Sequence, residues 1–169
     1  RTAEALTHWR TALALDPPDL VTVDRGVDTV DGTAAVAALR ALRQIEQLVA
    51  FWGTAPPPAL RSGGLGVREL RRVAREVDAD ETTAALLVEL AVAADLVAES
   101  DGVAPEWVPT TAADVWAAGG PEQKWARVAR AWLDLPRVPG IVGTRDDAGR
   151  SIAALADGPR RPTAPRDRR

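Results

Sequence analysis

A chain of 169 residues, 46% of them hydrophobic, can bury one core or two small ones, so disorder throughout is excluded. With no cysteine and a single histidine, His8, it lacks the usual ligands for disulfide frames, thiolate nucleophiles, zinc sites and histidine-based triads. The net charge of −3 is uneven: residues 127–169 carry ten Arg against five Asp, a net of +5, which leaves −8 on residues 1–126. A region that acidic has no overall electrostatic pull toward a phosphate backbone.

Residues 2–15 (TAEALTHWRTALAL) have helical spacing and stop at Asp16-Pro17-Pro18-Asp19, where proline removes amide donors and forces extended geometry. Leu20–Val23 and Val27–Val30 flank Asp24-Arg25-Gly26, which predicts a small hairpin or irregular loop. Asp31-Gly32-Thr33 offers a helix N-cap, followed by Leu42, Ile45, Val49 and Trp52 beside Leu39 and Leu48, an amphipathic pattern. Gly53 and Pro56-Pro57-Pro58 end that helix, and residues 59–66 (ALRSGGLG) leave room for a very short strand.

Val67–Val77 then sets Val67, Leu70, Val73, Ala74 and Val77 on one side and Arg68, Arg71, Arg72 and Arg75 on the other. Asp78-Ala79-Asp80 caps a helix predicted over Glu81–Ala98, apolar on nearly every side and therefore central. Asp101-Gly102 makes a turn before the extended segment Glu106–Pro109, and Thr111–Asp114 reads as a capping box. Pro121 starts a further helix whose expected buried face is Trp125, Val128, Ala129, Trp132 and Leu133. A short helix near Ala148–Ala156 and a disordered Pro/Arg tail complete the reading.

The fold class that follows is mostly α with a small β component, a winged-helix-like helical domain with flanking helices. The expected divisions are 1–32 (N-terminal helix and short hairpin or loop), 33–118 (winged-helix-like), 119–157 (C-terminal helical extension) and 158–169 (tail). No apolar run reaches the ~18 residues of a membrane helix and no leader pattern opens the chain, so a cytoplasmic location without a membrane partner is expected. Methionine is absent even at the first position, and Lys124 is the one lysine among 21 basic residues. Both features suggest a segment of a longer chain from a high-GC genome.

The segments LRSGGLGVRELRRVAREVDADETTAALLVELAVAADLV and EWVPTTAADVWAAGGPEQKWARVARAWL carry a resemblance to helicase-associated domain proteins of high-GC Gram-positive bacteria. These in turn are similar to the N-terminal non-motor region of XPB-type DNA-repair helicases. The resemblance covers residues 60–133 and implies a winged-helix module beside nucleic-acid machinery, with a helicase or neighbouring domain as a partner. It brings no catalytic residues. Gly63-Gly64-Leu65-Gly66 is not followed by Lys-Ser/Thr, so no nucleotide loop is present, and neither cofactor nor small-molecule substrate is expected.

Other chemical candidates have simpler explanations. Gly63-Gly64 fits a backbone turn, and Asp78, Asp80 and Glu81 lack calcium-loop spacing and suit a helix N-terminus. Asp146-Asp147 suits a surface turn, and His8 beside Trp9 has no partner base. Trp107, in the expected wing, is either a contact or a ring packed on the long helix.

In a helix-turn-helix the second helix would present Glu81, Thr82, Thr83 and Ala84 to base edges. None of them pairs bidentately with guanine or adenine, which argues against a sequence-specific regulator. The remaining contact set for nucleic acid or an acidic partner is Arg61, Arg68, Arg71, Arg72, Arg75 and Trp107. Alternatively the arginines form a solvated face paired with Glu69 and Glu76. The expected function is a noncatalytic module that docks and makes at most nonspecific nucleic-acid contact, or else a purely structural, protein-interaction domain.

Overall fold

The computed structural model describes residues 23–156. The predicted helix over 2–15, His8, Trp9, residues 20–22 and the tail lie outside them. The chain divides into two compact units, residues 1–33 and 34–169. Of the first unit, residues 23–26 are irregular and 27–33 form the opening turns of helix α1 (Val27–Thr54). The hairpin predicted over Val27–Val30 and the cap at Asp31 are therefore corrected. Residues 34–52 contain neither proline nor glycine, and the strong helix they form propagates backwards through Gly32, because adding a turn to an existing helix is far easier than nucleating one.

In the second unit the lower half of α1 buries Leu42, Ile45, Leu48 and Trp52, while Leu39, expected beside them, is exposed. α2 (Val67–Glu76) buries Leu70, Val73 and Ala74. It ends with Asp78 at φ 49° and the Ala79 amide on the Ala74 carbonyl, a left-handed helix stop with Asp where glycine is usual. The buried Gln44 amide adds a 2.9 Å hydrogen bond to the Val77 carbonyl, satisfying a helix-end acceptor. α3 (Glu81–Ala93) follows, with Asp80 as N-cap.

The predicted helix over 81–98 stops five residues early. Asp95 stands at φ 55° and the Leu96 amide reaches the Ala91 carbonyl, so the last apolar residues leave the helix as strand β1 (Val97–Glu99). β1 pairs antiparallel with β2 (Trp107–Pro109), Ala98 opposite Val108. On the other side of β2 the Trp107 amide donates to the Pro57 carbonyl and the Ala59 amide to the Pro105 carbonyl. The spatial order is thus segment 57–59, β2, β1. Helix, extended segment, helix, turn, helix and hairpin succeed one another as in a winged helix, in a mostly α fold with a small two-stranded sheet.

α4 (Thr111–Ala117) begins without the expected capping box: the Thr110 hydroxyl donates to the Asp95 carbonyl, tying α4 to the end of α3. α5 (Pro121–Asp134) has Pro121 in its first turn, as read from the sequence. Its buried face is Val128 and Ala131, followed by Leu135. Trp125, Trp132 and Leu133, expected inside, are 43%, 48% and 72% exposed. Lys124 and Arg127 occupy the inward side instead, Lys124 paired with Glu46 at 2.6 Å and Arg127 donating to the Ala94 carbonyl at 2.7 Å.

A 3-10 turn (Pro139–Ile141) packs on α3. The helix predicted near Ala148–Ala156 is corrected to turns and isolated bridges, Arg145 to Ser151 and Leu65 to Ala154. Residues 119–156 do not stand apart from the elements before them, because Val128, Ala131, Ala154 and Leu155 belong to the same core as α1, α2 and α3. No described helix is long and apolar enough to cross a membrane.

Candidate nucleic-acid interface

The arginines read from the sequence lie along one stretch of surface but in different electrostatic states. Arg71 pairs with Glu81 of α3 at 2.9 Å. Arg72 pairs with Glu69 at 3.0 Å, and its guanidinium lies 5.6 Å from the centre of the Phe51 ring, a cation–π distance. Arg68 and Arg75 share the stripe with Arg72 at i, i+4 and i+7, and Arg61 stands in the turn before α2. All three are exposed and have no ion-pair partner among the described residues.

Trp107 does not join them. It is 6% exposed, and its indole N–H donates to the Gly64 carbonyl at 3.4 Å, so the expectation of a contact there is corrected: the ring closes the core beneath the Gly63-Gly64 turn. That turn needs glycine at position 64, where φ is 91° and a Cβ would stand 2.7 Å from the Ala154 carbonyl oxygen.

In the first turn of α3, where base-reading residues would stand, Glu81 and Thr82 are exposed. The Asp80 carboxylate accepts the Thr83 amide at 2.7 Å, and this backbone hydrogen bond, with the Thr83 hydroxyl second, holds the carboxyl below the usual aspartate range. Glu81 is engaged with Arg71, and Ala84 is buried. Beyond it α3 buries Ala85, Leu87, Val88, Leu90 and Ala91, packed against α2, α5 and the 3-10 turn.

A feature that residue spacing did not disclose secures this closure. Glu89, 2% exposed in the middle of α3, accepts a charge-assisted hydrogen bond from Arg137 through one oxygen and the Leu155 amide through the other, at 2.7 Å. Leu155 itself sits at φ 61°, a conformation L-residues adopt only when held. The Leu65 amide donates to the Ala154 carbonyl at 2.7 Å, and a cavity of about 50 Å³ lined by Leu65, Leu70, Thr82, Val142 and Ile152 lies under the covering strap. Residues 137–155 thus bind across the body of α3. The sequence does hold a signal: Glu89 is the one charge between Ala84 and Ala94, and a charge surrounded by apolar residues requires a partner.

Asp146 accepts the backbone amides of Ala148 at 3.0 Å and Arg150 at 2.8 Å, and the Arg150 amide is the main cause holding its carboxyl low. This is a turn, as the glycine-flanked pattern suggests. Among the described residues no group of three or more His, Asp or Glu is placed to hold a metal ion. Compared with known proteins, the chain matches no family model, no curated protein and no solved structure.

Proposed function

We propose that the chain is a noncatalytic winged-helix-type module of a cytoplasmic, helicase-associated DNA-transaction protein, repair machinery being the class its sequence resembles. It works by docking and by nonspecific contact with nucleic-acid backbone. The observation that carries this reading is a reversal of the usual roles of two helices. The body of α3 is covered by residues 137–155 and its exposed first turn is acidic, capped by Asp80 and opened by Glu81, whereas α2 and the turn before it present Arg61, Arg68 and Arg75 unpaired among the described residues. Arginine without a carboxylate partner suits phosphate, which it binds through a planar fork of donors, and phosphate contacts position a protein without reading sequence.

Binding to mixed duplex sequences is expected to be uniform and steeply salt-dependent, and to disappear when Arg61, Arg68 and Arg75 are changed to Glu. Undiminished binding by that variant, or a sharp consensus from binding-site selection, would contradict the reading.

A second reading, a protein-interaction domain that orients a neighbouring domain and touches no DNA, is favoured by one observation. Trp125 and Trp132 are about half exposed, two turns apart on α5, and tryptophan is the commonest energetic anchor of protein interfaces. Absence of any complex with single strands, duplexes or forks at low salt would select it.

A further inference from the structure

Two more arginines extend the basic surface onto α1. Arg40 and Arg43 are exposed and, like Arg68 and Arg75, have no ion-pair partner among the described residues. An open groove of about 790 Å³ runs between α1 and the α2–α3 turn, with Arg40 on one wall and Arg75 on the other. Ala37, Ala41, Ala74 and Ala79 line it between the arginines, with Gln44 and Thr83. A second hollow of about 220 Å³, lined by Arg40, Arg43 and Gln47, adjoins it, so Arg40 stands between the two.

We propose that this groove is a phosphodiester-binding track in which Arg40, Arg43 and Arg75 grip the backbone of duplex DNA, continuing the contact begun on α2. The inference rests on the nucleic-acid reading above and adds the second helix to it. Three features select this ligand. Arg40 and Arg43 lie about 4.5 Å apart along α1 at 1.5 Å rise per residue, and Arg75 faces Arg40 across the groove, so arginines line both sides of an open trough. No aromatic ring lines either hollow, so the stacking platform that holds single strands is missing. The acids within the groove are Asp78 and Asp80. Asp80 stays ionised while its carboxylate caps α3, and Asp78 is the one of the two that can be neutralised without removing that cap.

The test is fluorescence anisotropy of a labelled mixed-sequence duplex across a salt series, with the whole chain and the variants R40Q/R43Q, R68Q/R75Q and D78N. Removing one phosphate-binding cation reduces the slope of log K against log salt by about 0.9. R40Q/R43Q is therefore expected to flatten the slope by about 1.8, and D78N to tighten binding several-fold. Glutamine keeps the helix propensity of α1, and asparagine tolerates the left-handed backbone at position 78, so folding, checked by circular dichroism, is expected to be retained. D78N reports on the groove even if R40Q/R43Q is unstable. A wild-type slope in R40Q/R43Q beside a flattened one in R68Q/R75Q would end the track at α2 and overturn the proposal while keeping the broader reading. No salt-dependent binding by the wild type would overturn both. Preference for a single strand of equal length, or capture of a glutamate-rich peptide through Arg40 and Arg43 with the duplex ignored, would also overturn it.

Discussion

Glu89 is tolerated in the core because both carboxylate oxygens are engaged, one by Arg137 and the other by the Leu155 amide. Truncation to alanine leaves a buried amide without an acceptor and frees the strap it holds, so Glu89→Ala is expected to cost about 3 kcal/mol, read as a lower urea midpoint. Glu89→Gln retains an acceptor and should cost less; an alanine variant as stable as the wild type would remove Glu89 from its clamping role. Asp80 works at the surface with a definite sign. Its folded-state carboxyl titrates below the unfolded one, so its stabilisation is present above the unfolded value and lost as pH falls through the folded value. Asp80→Ala should accordingly lower stability at neutral pH, and the gap from wild type should close in acid; a gap independent of pH would refute capping by the charged form.

The helices differ in how far residue spacing discloses them. α2 is legible because its arginines and its apolar residues fall on opposite sides, and the lower part of α1 because Leu42, Ile45, Leu48 and Trp52 repeat at helical intervals. The end of α3 is hidden because Ala94, Leu96 and Val97 suit helix and strand alike, and the left-handed stop falls on Asp95 where a glycine would have announced it. α5 misleads for an energetic reason: hydrophobicity places Trp125 and Trp132 inside, while Lys124 and Arg127 turn inward to reach Glu46 and the Ala94 carbonyl, contacts with distant residues that no local pattern reveals. Truncating either tryptophan to alanine should therefore change stability by less than about 1 kcal/mol, whereas Leu135→Ala should cost about 2 kcal/mol or more. Thermal or urea unfolding decides this, and a core-sized loss from Trp125→Ala would reverse the orientation assigned to α5.

For the domain as a whole, the mostly helical class with a small β component is legible from turns and helix lengths, but which faces stay open depends on residues 137–155 packing on α3. The basic surface that remains belongs to the turn at Arg61, to α2 and to α1, within a chain whose net charge is negative. Binding should therefore be local, weak and uniform in sequence, and should fall steeply with salt. The most direct measurement is an NMR titration of the isotopically labelled chain with a mixed-sequence duplex at low salt. Saturable amide shifts concentrated at Arg61 and along Arg68–Arg75, with Glu81–Ala84 little changed, are the expected result; shifts centred on Glu81–Ala84, or none that saturate, would contradict it.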